Sequence, residues 1–385
     1  MKKLSIICLL LLLIVGAKAN DGVYYADGNQ LIPITETDIS VKKEVLTINR
    51  VGDHLEVTVY YEFFNPSKPK DLLVGFEAAP PYDGSNDMAD FFPNHPNFRN
   101  FTVTLNGDWL DYEVAHVMYD ETEDYKMQGY YKNGRFSELT FEECAKAFGE
   151  YEGMSYPFYY VYHFNAHFRE GLNIVQHTYD FDISSSVAEE YRFNYILTAA
   201  NRWANHQIDD FTLNIDMGEI ESFDIDPSFY DDVDEWTFKG AGRVTSTYND
   251  KKLFRSMFHV QKGSISFHKD NFHPEGELYI SKPFYAMNTL WSYDDLTAEN
   301  VMKVVSEAMG HLDPLARYDV EVLLNDEQRR IMKNLPYAYR GHVFKDKGLQ
   351  QFFESTDWYV PNPDYVDKWE DFSPEERGWI RYWSE

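Results

Sequence analysis

Cysteine is nearly absent from this sequence, with two among 385 residues, at Cys8 and Cys144. Cys8 sits inside an apolar run with no small-residue site just before it, which argues against a lipid-modified N-terminal cysteine. Once an N-terminal leader carrying Cys8 is removed, Cys144 stands alone and can form neither an internal disulfide nor a cysteine-rich zinc site. Positive charge is also scarce: Lys+Arg number 35 against 64 Asp+Glu, a formal net charge of −29. Binding to phosphate backbones needs a Lys/Arg surface that releases counterions, so no nucleic-acid partner is expected. Broad docking on anionic lipid is disfavoured for the same reason. The motifs G-x-S-x-G and H-E-x-x-H, the P-loop and the Rossmann fingerprint are all missing, so no reaction is named by motif. No apolar run reaches the roughly 20 residues of a membrane span.

What is present begins with an export signal. Lys2 and Lys3 precede an unbroken apolar run from Ile6 to Val15, and Ala17-Lys18-Ala19 supplies an A-x-A cleavage site before Asn20. These are the three regions of a secretory leader. Its removal takes away three lysines and no acid, leaving 32 basic and 64 acidic residues in the mature chain. The mature chain is then expected to carry no transmembrane segment. Without crosslinks it must be held by its core, and aromatics at 17%, with 29 Tyr and 28 Phe, supply one.

From Asp38 to about Phe284 the dominant hydrophobic period is two. Leu55, Val57, Val59, Tyr61 and Phe63 share one face of a strand that Asn65-Pro66 should stop. Phe101–Leu105 alternates and meets Asn106-Gly107, a strong hairpin signal. Tyr159–Phe168 and Asn173–Phe181 flank Arg169-Glu-Gly-Leu172, which predicts a second hairpin. Phe211–Ile215 and Ser264–Phe267 are further strands. Many short one-sided strands predict a mainly β, antiparallel, sandwich-like domain. A helical insertion over about Glu121–Tyr156 interrupts it. Within that insertion Thr140 and Glu143 form a capping box, and Phe141, Cys144, Ala145 and Phe148 share a helix face. Cys144 therefore reads as a small buried hydrophobe rather than a reactive thiol.

Ile39–Ile48, followed by Val57-Thr-Val-Tyr-Tyr-Glu-Phe-Phe-Asn-Pro66, resembles the opening strands of a bacterial exported family known as domain of unknown function number 4424. Tyr159–Tyr179 and Tyr195-Ile-Leu-Thr-Ala-Ala-Asn-Arg-Trp203 with Ile208 and Phe211–Asp216 are similar to its middle, so the resemblance spans about Gly28–Phe284. It implies no activity and no catalytic residues.

The remainder predicts a small all-α C-terminal domain. Thr297–Gly310 is helical by pattern, with Val301, Val304, Val305 and Ala308 on one face. Asn325-Asp-Glu-Gln328 opens a helix that Pro336 should end. Asp346–Glu354 is another, and Ser373-Pro-Glu-Glu376 caps the last, which carries Trp379, Ile380 and Trp383. The segment Asn334-Leu-Pro-Tyr-Ala-Tyr-Arg-Gly-His-Val-Phe-Lys345 resembles the central motif of the YARHG domain, and Phe352-Phe353, Trp358-Tyr359 and Pro361-Asn362-Pro363 fit the rest over about Leu324–Trp383. The family's Arg-His pair reads Tyr339-Arg340 here, and His342 falls one place beyond Gly341. The resemblance implies an extracytoplasmic module with no settled ligand.

These readings divide the chain into a signal at 1–19, a β-sandwich-like domain at 20–290, a helical linker at 291–312 and a YARHG-like domain at 313–385. Charge marks a candidate surface in the last. Arg329, Arg330, Lys333, Arg340, Lys345 and Lys347 face only Asp346 between 329 and 347, whereas Gly348–Glu385 holds three basic and nine acidic residues. The basic stretch is either an anion or partner site made by Arg329, Arg330, Lys333, Tyr337, Tyr339, Arg340, His342 and Lys345, or one half of a self-neutralising domain. The tail tryptophans Trp358, Trp369, Trp379 and Trp383 read as core more than as sugar platforms.

Other chemistry is thin. His163 and His167 share a strand face but lie about 13 Å apart, and His177 is the other imidazole near them. The acids Asp224, Asp226, Asp231, Asp232, Asp234 and Glu235 lack EF-hand spacing and read as a solvated loop more than a calcium site. No cofactor or metal is expected. The function read from sequence is an exported, non-enzymatic binding or scaffold protein of the bacterial envelope, periplasmic or extracellular, whose tail recognises an envelope protein or anionic cell-surface polymer. The alternative is a carboxylate-based hydrolase acting on envelope glycans.

Overall fold

The structure is a computed structural model that describes residues 31–33, 37–78, 92–117, 131–132, 135–149, 158–183, 189–283, 297–307 and 322–384. The expected leader, the helix end at Ala308–Gly310 and most of the expected insertion lie outside these residues.

Alternating apolar side chains make strands, and the strands make two facing sheets. The smaller has the order β1 (Leu31–Pro33), β4 (Lys70–Ala78), β10 (Tyr159–Phe168), β7 (Glu113–Val117). The larger runs β12 (Glu189–Tyr195), β17 (Leu278–Pro283), β14 (Glu221–Ile225), β16 (Lys252–Phe272), β13 (Ile208–Asp216), β2 (Ser40–Val51), β3 (His54–Asn65), β11 (Gly171–Asp182), β5 (Phe98–Leu105), β6 (Asp108–Trp109). Strand β15 (Trp236–Asn249) pairs along β16. The fold is mainly β, as expected, with helices concentrated in the C-terminal region. The short hairpin β8–β9 (Tyr131–Lys132 and Arg135–Phe136) and helix α1 (Phe141–Gly149) lie in the insertion, which is thus not wholly helical. Among the described residues no helix is long and apolar enough to cross a membrane.

Between the sheets the core is aromatic. Leu55, Val57, Val59, Tyr61 and Phe63 of β3 are all buried, as the alternation requires. Phe76 packs on Phe101 at 5.5 Å and on Tyr179 at 5.7 Å, and Phe63 on Trp203 at 4.3 Å. Such pairs add to the burial of their area. Asn106 and Gly107 take positive φ (55° and 90°) and make the predicted β5–β6 turn. Thr140 and Glu143 cap α1 reciprocally, and Cys144 is fully buried, where loss of solvent pushes its thiol up to about 11.

Three expectations need correction. First, β10 and β11 are not a hairpin: β10 pairs with β4 and β7, and β11 with β3 and β5. Arg169–Leu172 carries the chain over a corner from one sheet to the other, beside the matching β3–β4 corner. Buried Asn65 donates to the Phe168 carbonyl, and buried Asn173 bonds Arg169 through both its amide atoms. These amides satisfy the backbone groups that the bend takes out of both ladders. Second, the large sheet is mixed, because β13 runs parallel to β2. A 3₁₀ turn at Thr198–Arg202 returns the chain to the starting end of β2. There Ala204 N–H bonds the Ile39 carbonyl and Asn205 bonds both backbone groups of Val41. Third, Pro336 does not end its helix, for a reason that belongs to the tail.

Candidate functional site

The tail is built from α2 (Ala298–Glu307), α3 (Asp326–Tyr339), α4 (Lys347–Glu354) and α5 (Pro374–Tyr382). Asn325–Gln328 and Ser373–Glu376 close capping boxes on α3 and α5, and Asp346 caps α4. Val301, Val304 and Val305 of α2 join Met332, Leu335, Phe353, Trp358, Trp379 and Trp383 in one core. Helix α3 runs through Pro336 to Tyr339. A proline has no N–H for the carbonyl four residues back. Here that carbonyl, Met332 O, accepts the Trp379 indole N–H at 2.6 Å instead.

The predicted surface residues divide into two groups. Arg340 Nη1 and Nη2 grip Glu376 Oε1 and Oε2 at 2.7 and 2.8 Å, its guanidinium also donates to the Pro336 and Asp371 carbonyls, and it lies 4.5 Å over the Phe372 ring. Tyr337 packs on Phe372 at 4.7 Å and Tyr339 on Trp358 at 5.0 Å, where burial raises the Tyr339 phenol. His342 Nδ1 lies 2.8 Å from Asp367, and its carbonyl accepts from Tyr359. These four tie the tail together. Toward the outside, Arg330 reaches Asp346 at 2.8 Å, and the Asp346 carboxyl is held low by the Leu349 N–H and then by Arg330. Arg329 Nε donates to the Leu324 carbonyl. Lys345 and Lys347 are exposed and Lys333 half-buried, and no ion pair holds them among the described residues.

The motif glycine sits where the tail meets the large sheet. Gly341 has φ 75°, and any Cβ there would overlap Gln261 Nε2 and the Val360 carbonyl. Gln261, on β16, inserts into that gap and donates to Val360 O at 2.6 Å. Two more sheet side chains reach the same tail segment: Arg243 donates to the Thr356 carbonyl at 3.1 Å and Thr245 to the Asp357 carbonyl at 3.2 Å. Thr245 has one hydroxyl hydrogen, so its bond with His259 Nε2 at 3.3 Å is one it accepts, and Ser222 then donates to His259 Nδ1 at 2.8 Å. Ser222 and His259 are both buried, and through Thr245 the pair links sheet to tail. Burial, with Arg243 and Arg255 nearby, pushes the imidazole down to about 3. Sequence reading missed this seam because no local pattern marks Gln261.

A second polar cluster lies along β14 and β12. Asp224 is buried and accepts two N–H bonds from Arg255, at 2.9 and 2.7 Å. Burial outweighs Arg255 and lifts the carboxyl to about 7. Asp226 and Glu189 are raised by burial too, against the pull of Arg192. The other acids singled out in sequence do not join them. Asp232 caps the turn at Val233–Glu235, and Glu235 accepts the Asp231 and Asp232 N–H groups and pairs with Lys269. The three histidines are likewise separated. His163 and His167 face outward on β10, with His167 2.8 Å from Asp71, whereas His177 on β11 faces the inter-sheet core.

A family model described as the YARHG domain matches residues 321–385, and one described as a domain of unknown function (DUF4424) matches residues 19–128. No curated protein matches the chain. Among solved structures, a Legionella pneumophila protein provisionally described as nutrient binding is 16% identical, with a TM-score of 0.47 over 94% of this chain and all of its own. Baculovirus P35 is 9% identical, with a TM-score of 0.24 over 66% of this chain and 98% of its own. At these scores neither likeness carries a statement about this chain.

Proposed function

We propose that the chain is an exported, non-enzymatic binding or scaffold protein of the bacterial envelope, with the tail as its recognition element. The observation that carries this reading is the continuous aromatic core between the sheets, in which Tyr61, Phe76, Tyr179 and Trp203 are all buried. The leader pattern and the YARHG match support export. Arg340, Tyr337, Tyr339 and His342 shape the tail, and Arg330, Lys333, Lys345 and Lys347 offer cations to an envelope protein or an anionic polymer. The test is capture from envelope extract by the tagged mature protein and by a Lys333→Ala/Lys345→Ala/Lys347→Ala variant, which spares both arginine bridges. Loss of capture by the folded variant is the expected result, and undiminished capture would remove the tail cations from the proposal.

A second reading, a carboxylate-based hydrolase of envelope glycans, draws on Asp224, whose raised affinity for a proton near pH 7 suits a general acid. Glycan cleavage by the wild type that disappears in Asp224→Asn would favour it. Absence of cleavage would leave the binding reading alone.

A further inference from the structure

Strands β13 and β16 bring together three side chains that lie 58 and 60 residues apart in sequence. Their register sets Asp210 directly opposite Asp270 and Thr212 opposite His268, all on the outer face of the large sheet. Like charges placed opposite each other across a ladder destabilise it. Lys43, next to Asp210 across the parallel β2–β13 pair, answers half of that charge by bonding Asp210 Oδ2 at 2.6 Å. The other oxygen, Asp210 Oδ1, is shielded from solvent and has no hydrogen-bond partner among the described residues. It lies 3.7 Å from His268 Nδ1, and Asp270 Oδ1 lies 3.6 Å from His268 Nε2. One ligand atom from each of the three residues falls within 4.8 Å of the other two.

We propose that Asp210, His268 and Asp270 bind one divalent transition-metal cation of the zinc type. Tetrahedral bonds of about 2.0–2.2 Å to oxygen and nitrogen place neighbouring ligand atoms about 3.4 Å apart, and the three ligand atoms here, one from each residue, lie within 4.8 Å of one another, so small side-chain rotations close the site. Imidazole beside carboxylate favours zinc and similar borderline ions over calcium or magnesium, which take oxygen alone. The surroundings have the form of an outer ligand shell. Lys43 occupies Asp210 Oδ2 and so leaves Oδ1 toward the site, while Thr212 Oγ1, 3.2 Å from His268 Nδ1, helps to orient the ring. This imidazole and the unanswered Oδ1 set the cluster apart from an ordinary acidic patch. His268 and Asp270 are exposed, which gives a cation its entry and water the fourth position.

The test is calorimetric titration of the chelator-treated mature protein with zinc chloride, and separately with calcium chloride. One equivalent of zinc with micromolar or tighter affinity is expected, weakened at least tenfold in His268→Ala and in Asp270→Asn. The variant His167→Ala, altered at a different exposed His–Asp pair, should retain that equivalent. Both site substitutions are on exposed side chains, and unchanged circular dichroism will show that they fold. Cobalt in place of zinc should give a visible absorption band that His268→Ala abolishes. No zinc uptake by the wild type, uptake unchanged in His268→Ala, or a preference for calcium would each overturn the proposal.

Discussion

The Trp379 indole N–H donates to the Met332 carbonyl at 2.6 Å, and this bond supplies the hydrogen that Pro336 withholds from its own helix. It also staples α5 onto α3 across 47 residues of sequence. Trp379→Phe keeps an aromatic ring but removes the indole N–H and the five-membered ring that carries it, leaving the Met332 carbonyl without that donor. The expected cost is about 1–3 kcal/mol by denaturant titration. In a Pro336→Ala background the helix can answer Met332 itself, so the same substitution should cost distinctly less. Equal costs in both backgrounds would refute the exchange.

Gly341 is predicted to be intolerant of any side chain. Gly341→Ala forces a Cβ into a positive-φ residue and against Gln261 and the Val360 carbonyl. Stability should fall by about 1–3 kcal/mol, with faster amide exchange at Asn362, whose N–H bonds the Gly341 carbonyl. Gln261→Ala should relieve only the part of the clash owed to its amide, because φ and the carbonyl remain.

His177 makes stability sensitive to acid. Its ring lies in the core 5.9 Å from Tyr61, neither nitrogen has a hydrogen-bond partner among the described residues, and burial holds it down to about 3. In the unfolded chain it takes a proton below about 6.5. The unfolded state therefore binds more protons between about pH 6.5 and 3, and stability falls as pH drops through that window. His177→Phe should flatten this slope and raise stability at pH 5. An unchanged pH profile would place the imidazole in a wetter setting.

Asp224 acts with the opposite sign. Its folded carboxyl titrates near 7 and its unfolded one near 3.9, so the native state holds the extra proton between these values. Stability should then decline as pH rises from about 4 to 7 and level off above. Asp224→Asn removes the titration and should flatten that limb, measured as unfolding free energy against pH. Asp226 and Glu189, also raised, contribute in the same direction and limit how flat it becomes.

Much of the fold could be read from residue order because alternation reports local burial. The alternation of β3 and β5 and the strand runs of β10 and β11 are legible, as are the capping boxes at Thr140 and Ser373 and the helix start at Asn325. Partnership between strands is not. Arg169-Glu-Gly-Leu172 has the same composition whether the chain doubles back or crosses to a second sheet, and only Asn65 and Asn173 reveal which. Pro336 obeyed a local rule until a distant indole removed its cost. The basic stretch of the tail was visible as charge, but the partner of Arg340 is Glu376, 36 residues away. The grouping of Asp210, His268 and Asp270 exists only through the β13–β16 register.

Gln261, Arg243 and Thr245 hand their hydrogens to the tail backbone, and Ile220 of the sheet region packs into the tail core. The family boundary at residue 321 is therefore predicted not to coincide with a melting boundary. Scanning calorimetry should record a single transition in which both parts lose structure together. Proteolytic trimming of the tail should lower the melting temperature of the sheet that remains.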